Sequence, residues 1–557
     1  METKSHTTHQ VINQPPPRTG IDEYAANAPL REAVHRYGAA HAEQQLHEVG
    51  RLVGSAEYQG WAEAANTNQP VLHTHDRYGH RIDEVIYHPA YHEIISRTVA
   101  HGAHTGPWAD PRPGAHVARA AAFFLFNQVE PGHCCPISMT YSALPTLRHQ
   151  PELAAQWEPL LLKRGYAPGL APAAEKPGVL FGMAMTEKQG GSDVRANTTC
   201  AEPIGVGGPG GEYQLTGHKW FCSAPMSDAF LVLARTGNDP GRPELSCFVL
   251  PRVLPDGTRN AFRIQRLKDK LGNHSNASSE IELDGAWAQM VGEPGRGVRT
   301  IIEMVSHTRL DCVIGTAGGM RQSVAEAVWH AEHRSAFGAR LVDQPVMTSV
   351  LADLALESEA AIATAMRLAA AHEADTDEQE SAFRRLATPV SKYWVCKRGP
   401  NHAYEAMECL GGNGYTEDFP LARRYREAPV LAIWEGSGNV IALDVLRAIT
   451  REPAVVEAFL AEVGQAAGVS ALFDAHLKEL TAALTAVRAA PDLARARRLT
   501  EQLALALQAS LLIRHAPAEV SDAFGAARLG PERSFEYGTL PAGVDAGAIV
   551  ARHAAPA

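Results

Sequence analysis

The chain has 557 residues, more than one hydrophobic core organises, so about two to four domains are expected. Hydrophobic residues make up 45% and charged residues 20%, a globular composition that excludes a disordered chain. A formal net charge of −11 repels nucleic acid and anionic membranes overall, leaving only a local basic patch able to hold either.

The eight cysteines are scattered, with only Cys134 and Cys135 adjacent and no Cys-x-x-Cys pair, which reads as reduced thiols in a cytoplasmic protein. The 25 histidines show no His-Glu-x-x-His spacing, so no metal site is expected. The first residues are polar and Pro-rich where a targeting segment is basic and then apolar. The most apolar run, Ala120 to Phe126, is too short to span a bilayer.

Residues 1–28, with Pro15-Pro16-Pro17, read as an N-terminal arm, either disordered or strapped onto a neighbour. Residues 29–178 read as an α-helical domain. From Leu30 to Arg164 the apolar spacing is helical, and Arg119 to Gln128, Ala-rich with Phe123, Phe124 and Phe126, fits a helix buried on most sides. Between 179 and 290 the period changes. Val179 to Met185 is a compact apolar run, and Thr186 to Asp193 leaves no room for a helix. Further strand signals fall at Tyr213 to Leu215, Trp220 to Cys222, Phe230 to Ala234, Ser246 to Leu250, Phe262 to Leu267 and Ser279 to Leu283. Short strands separated by Gly, Asp and Pro predict a small β-barrel or sandwich. The spelling Gly205, Gly207, Gly210 opens no helix and reads as a loop rather than a dinucleotide fingerprint.

Residues 291–450 return to helical spacing, and long helices with short connections predict a bundle. Gly399-Pro400 is the expected break or kink. Residues 451–557 read as an additional helical region, where Val445 to Ala557 holds 11 Lys and Arg against 12 Asp and Glu. A basic face there must come from arrangement, since there is no excess.

Ile433 to Asn439 places the carboxylate of Glu435 between an indole and small residues. An apolar ring strips water from a carboxylate, which raises its pKa and makes it a better base. Glycines on either side of Ser437 let backbone N–H groups approach a ligand closely, and Ser437 and Asn439 add hydrogen-bonding groups. The plainer reading of the same residues is a helix cap. Three other places suit an anionic, planar cofactor: hydroxyls and Gly-freed donors in Thr186 to Asp193, a stacking face and a donor at Phe221 and Ser223, and a fixed charge at Arg334. Taken singly, these residues serve equally as a turn, a core ring and a surface ion pair.

In order along the chain, five motifs resemble the acyl-CoA dehydrogenase family from about Leu30 to Thr450. They are Met185-Thr186-Glu187 leading to Gly191-Ser192-Asp193, Gly217 to Ser223, Arg334-Ser335-Ala336-Phe337-Gly338, Glu408 to Tyr415, and Trp434-Glu435-Gly436. The spellings Met185 to Val194, Leu267 to Asn273 and Ile433 to Asn439 are similar to that family's adaptive-response, AidB-like branch, which also extends past the bundle.

The resemblance implies an α+β architecture with an N-terminal α-helical domain, a middle β-barrel domain, a C-terminal helical bundle and an extra helical region. It implies FAD as cofactor. Thr186 would bond the flavin ring edge, Ser192 the pyrophosphate and Ser223 the region near N5, with Met185, Gly191, Ser437 and Asn439 in the same set. Phe221 stands where the family has Trp against the ring, keeping a stacking face and dropping a donor. Arg334 and Phe337 would reach a flavin held mainly by the next subunit of a homotetramer. Gly411 and Gly412 would meet its adenosine end, where Glu408 replaces the family's Gln, and Gln344 is similar to a further ligand spaced one residue shorter.

The implied reaction is α,β-dehydrogenation of an acyl-CoA thioester, with Glu435 as base, flavin N5 as hydride acceptor, Trp434, Gly436 and Arg309 beside the substrate, and a separate electron acceptor. The other base position known in the family corresponds to Thr308, which cannot serve. The alternative is an AidB-like flavoprotein of the alkylation-damage response that holds double-stranded DNA without sequence preference, with Arg495, Arg497 and Arg498 as phosphate contacts. A flavin-free scaffold of the same fold is the third reading.

Overall fold

In the computed structural model, which describes residues 8–237, 244–373 and 377–555, the arm lies along helices of its own chain. Trp329 Nε1 donates to the Pro16 carbonyl at 2.8 Å, Arg334 Nη1 to Asn13 at 2.7 Å, and the Gly20 amide to Gly54 at 2.7 Å. The arm's first seven residues lie outside the described part.

Eight helices follow: α1 (Ala28–Arg36), α2 (Glu43–Val53), α3 (Ala56–Thr67), α4 (Pro89–Ala100), α5 (Gly106–Ala109), α6 (Ala115–Val129), α7 (Cys134–Leu147) and α8 (Pro151–Leu161). Asn27 and Ser55 cap α1 and α3 by accepting the amides of Leu30 and Tyr58. The Ala- and Phe-rich α6 is buried on nearly every side, as its composition predicts.

The all-helical expectation fails at one place. Val71–His75 (β1) and Arg81–Ile86 (β2) form an antiparallel hairpin closed by Asp76, which accepts the Tyr78 and His80 amides, and by Gly79 at φ +86°. Two strands this short vanish when hydrophobic spacing is averaged over a helical window, although the alternation in Val-Leu-His-Thr-His has the period of a strand. The hairpin ties the helical domain to the middle sheet through Arg81, which donates to the Ile264 carbonyl at 3.2 Å.

The middle sheet has seven strands: β3 (Phe181–Ala184), β4 (Cys200–Pro203), β5 (Glu212–Ser223), β6 (Ala229–Arg235), β7 (Leu245–Pro251), β8 (Phe262–Leu267) and β9 (Ser278–Val291). The order is β3-β6-β4-β5-β9-β7, β8 pairs with β9, and β6 also pairs with β7. Tyr213 to Leu215 and Trp220 to Cys222, expected as two strands, are one strand with register shifts against β9 near Thr216 and beyond Lys219. The ladder absorbs the irregularities as bulges, at Gly285 of β9 (φ +73°) opposite Leu215 and Thr216 and at an extra residue of β5 between Lys219 and Cys222.

The bundle consists of α9 (Gly297–His333), α10 (Pro345–Ala371), α11 (Glu378–Glu408), α12 (Pro420–Ile433) and α13 (Gly438–Arg451). Between α9 and α10 sits a small hairpin, β10 (Ser335–Ala336) and β11 (Ala339–Arg340). Of the break or kink expected at Gly399-Pro400, a break does not occur: α11 runs through both Pro389 and Pro400. Packing against α9 holds it together. At Gly399 the helices come so close that a Cβ would stand 3.0 Å from Thr316.

Beyond Thr450 lie α14 (Pro453–Gly464), α15 (Ala471–Ala489), α16 (Ala496–His515), α17 (Ala518–Phe524) and α18 (Ala546–His553). These helices pack onto the bundle, α16 against α10, α11 and α13, and α18 against α10. The buried Arg321 fastens both ends of the chain, donating to the carbonyls of Ala26 at 2.6 Å and His553 at 3.1 Å. No single helix among the described residues is long and apolar enough to cross a membrane.

Candidate active site

Helix α12 stops at Ile433, and α13 starts at Gly438 with Ser437 as its N-cap residue. Between them Glu435 takes φ +57° and Gly436 φ +102°. A left-handed backbone costs a non-glycine residue of order 1–3 kcal/mol and persists only where its surroundings enforce it. Here two cations enforce it. Lys392 of α11, almost wholly buried, donates to the Trp434 carbonyl at 2.7 Å and the Gly436 carbonyl at 2.6 Å. Arg309 of α9 donates its Nε to the Glu435 carbonyl at 3.1 Å and is fixed by Asp444 at 2.8 Å. Three successive carbonyls are thereby held.

The Glu435 side chain does not cap α13. Its Oε2 accepts the Thr308 hydroxyl at 2.7 Å, and the half-buried carboxylate faces a cavity. Burial pushes its carboxyl above the usual range, while the Thr308 hydroxyl and the Arg309 and Lys392 charges pull it partly back. The indole N–H of Trp434 is buried without a hydrogen-bond partner.

The cavity holds about 850 Å³ and is bordered by parts of all three domains. Met185, Thr186, Gly191, Ser192, Phe221, Ser223, Arg309, Trp434, Glu435, Gly436 and Ser437 all line it. The loop from Thr186 to Asp193 is pinned from beneath by Glu187. That buried carboxylate meets Lys219 Nζ at 2.8 Å and accepts the Thr198 and Thr199 amides. Burial alone would raise the Glu187 pKa, but the Lys219 ammonium and these donors overcome it and hold it at about 2. At Gly191 a Cβ would stand 2.3 Å from the Thr186 hydroxyl, so only glycine lets this turn close. Phe221 exposes half its surface, with the Lys268 ammonium 4.7 Å from its ring centre, and Ser223 lies 3.3 Å from the Ser278 hydroxyl.

The other expected site residues lie elsewhere. Arg334 ends α9 and is held by Asn13. Phe337, at φ +53°, is fully exposed at the tip of the β10–β11 hairpin, and Gln344 donates to the carbonyl of Ala336 beside that tip at 2.8 Å. Gly411 and Gly412 have open space where a Cβ would be. Asn439 turns to α16 instead of the cavity, accepting Arg497 Nε at 2.8 Å. Arg495, Arg497 and Arg498 are exposed.

Two functional side chains, Lys392 and Asp444, went unread in the sequence, and Thr308 was noticed only as a position unable to be the base. A signal existed for Lys392, a cation on the buried face of α11 that Pro389, Val395 and Cys396 share.

A helical domain, a middle sheet and a helical bundle meeting round a cavity, with the raised Glu435 carboxylate at the α12–α13 junction, are the arrangement of an acyl-CoA dehydrogenase. Residues 13–168 match the adaptive response protein AidB N-terminal domain, 182–286 the acyl-CoA dehydrogenase middle domain and 295–450 the acyl-CoA dehydrogenase C-terminal domain. The chain belongs to the acyl-CoA dehydrogenase family, whose cofactor is FAD. It is 44% identical over 475 residues to the "Putative acyl-CoA dehydrogenase AidB" of Escherichia coli (strain K12), covering 85% of this chain and 86% of that one. It is 32% identical over 445 residues to "Acyl-CoA dehydrogenase family member 11" of Caenorhabditis elegans, covering 77% of this chain and 70% of that one. Among solved structures, Caenorhabditis elegans ACDH-11 in complex with C11-CoA superposes with a TM-score of 0.86 at 27% identity, covering 96% of each chain. The Bd2924 apo form gives 0.81 at 27% identity, covering 90% of this chain and 99% of that one.

Proposed function

We propose that this enzyme binds FAD in the 850 Å³ cavity and removes the α-proton and β-hydride of an acyl-CoA thioester there, with Glu435 as base. The observation that carries this reading is the Glu435 carboxylate itself, raised by burial and aimed by Thr308 into the cavity that Thr186, Ser192, Phe221 and Ser223 share. Those residues fit a flavin. The loop closed at Gly191 offers hydroxyl and backbone donors, and Phe221 offers an uncovered face.

When bound, FAD supplies the hydride acceptor. The chain's own residues do the rest. Glu435 takes the α-proton and becomes neutral, a change that burial favours. Arg309 and Lys392 keep its backbone in place through the transfer, so the carboxylate need not reorganise. The C11-CoA complex of the Caenorhabditis elegans relative supports an acyl-CoA here as well.

Arg334, Phe337, Gln344, Gly411 and Gly412 lie on exposed segments away from the cavity, and we assign them to a flavin held by the next subunit of a homotetramer. The eight cysteines are unpaired thiols, in keeping with a reducing, cytoplasmic setting. Anaerobic mixing of the FAD-loaded protein with a series of acyl-CoAs tests the reading: at least one should bleach the flavin and yield the 2-enoyl thioester. Bleaching by none refutes it.

One observation favours a second activity beside this one. Arg495, Arg497 and Arg498 stand exposed together at the start of α16, in a region added to the bundle. Contact with DNA phosphates through them is sequence-tolerant and weakens steeply with salt, and each contact removed flattens that slope by about one unit. A salt-titrated duplex assay on the triple alanine variant decides it, and an unchanged slope removes these residues from the account.

A further inference from the structure

Arg424, on the buried face of α12, is a guanidinium with almost nothing to hold. It is 6% exposed, its Nη1 donates to the Val129 carbonyl at 2.7 Å, and its Nε is buried with no partner. Among the described residues it makes no ion pair. Of the carboxylates whose charge acts on it, Glu326 and Glu427 are themselves driven by burial toward the neutral acid, and Glu130 is already engaged by His133 and Ser275. A buried cation left this way is costly unless an anion is brought to it.

The same side chain borders the cavity that contains Glu435. From Arg424 to Ile433, at the end of α12, is roughly 14 Å at 1.5 Å per residue. The facing wall is α9, where Gly315, Gly319 and Ser323 line the cavity, and a Cβ on Gly319 would meet nothing within 4 Å. An extended chain advances about 1.2 Å per bond, as a polypeptide gains about 3.6 Å per three-bond residue. An acyl chain of about twelve carbons therefore matches the rise of α12 from Arg424 to Ile433, two residues before the base.

We propose that the acyl chain accepted here ends in a carboxylate that seats on Arg424, making an ω-carboxyacyl-CoA the preferred substrate class. This rests on the acyl-CoA reading of the Glu435 site. A site holding an unsatisfied buried donor discriminates strongly against the ligand that leaves it unsatisfied, whereas an apolar pocket discriminates little.

Anaerobic titration of the FAD-loaded protein with dodecanoyl-CoA and with the monothioester dodecanedioyl-CoA tests it, following flavin bleaching for apparent Kd and limiting rate. The diacid thioester should bind at least ten-fold more tightly at a similar limiting rate, because the reacting end is the same. Arg424→Met should erase that preference while leaving dodecanoyl-CoA bound, and Arg424→Lys should keep part of it. The wild-type comparison stands even if a variant fails to fold. Equal or tighter binding of dodecanoyl-CoA by the wild type overturns the proposal and leaves the dehydrogenase reading intact. Failure of every acyl-CoA to bleach the flavin overturns both.

Discussion

Glu435 and Phe337 are both non-glycine residues held in left-handed backbone, at φ +57° and +53°, and they are fastened in opposite ways. Around Glu435, Lys392 and Arg309 hold three successive carbonyls, Thr308 holds the carboxylate, and Asp444 holds Arg309. Around Phe337 the ring is bare, and the hairpin beneath it is held by Gln344 and by Asn13, which pairs with Ser335 in both directions at 2.8 Å. Strained backbone persists where its surroundings over-determine it. The first site carries those surroundings within one chain. At the second, positive φ is what a two-residue hairpin loop requires of both Phe337 and Gly338, so the turn itself holds the backbone and the ring stays free.

Lys392→Met should break the first half of this contrast hardest. It leaves two buried carbonyls without their donor, at about 1–3 kcal/mol each, and frees the elbow to move the carboxylate. A 1 Å misplacement costs about 10²-fold in rate, so chemical denaturation should show a large loss of stability and stopped-flow a loss of flavin reduction on that scale. Reduction at the wild-type rate would mean the clamp does not position the base.

Arg334→Ala addresses the other half. An uncompensated pyrophosphate at a subunit interface costs on the order of 2–5 kcal/mol, so FAD content and tetramer should fall together while the fold of the single chain survives. A stable holo-monomer by ultracentrifugation would contradict the assignment.

With Thr308→Val the effect is smaller and has a sign. The Thr308 hydroxyl lowers the Glu435 pKa by donating to its charged form. Removing it raises that pKa further, so less carboxylate is present at neutral pH. The acid limb of the pH–rate profile should move up; a shift downward would place the hydroxyl on some other group. Asn13→Ala should do least, costing about 1 kcal/mol or less because the contact is exposed, and its loss should be read as slower FAD uptake into the assembled protein.

What the sequence made legible was local chemistry. Met185 to Asp193, Phe221, Ser223 and Trp434 to Gly436 are recognisable because the motifs are short in sequence and specific in kind, and the cavity gathers Met185, Thr186, Gly191 and Ser192 of the first with the others. The strand signal at Phe230 to Ala234 survives because a fully buried strand keeps a continuous apolar run, and that at Phe262 to Leu267 because Phe262 and Ile264 alternate with polar residues on a half-buried strand. The reading failed wherever packing overrode a local rule. Pro400 stays inside α11 because α9 presses on Gly399, and the β1–β2 hairpin forms because the middle sheet receives it. Lys392, over forty residues from the carbonyls it holds, leaves no trace in the motif it supports.

The central claim is that Glu435 is the base, and one stopped-flow comparison tests it most directly. Glu435→Gln keeps the size and polarity of the side chain, so fold and FAD content should match the wild type. On anaerobic mixing with an acyl-CoA that the wild type oxidises, its flavin should bleach at least about 10²-fold more slowly, the lower bound for losing a general base. Bleaching within a few-fold of the wild-type rate, with full FAD content, would contradict the assignment.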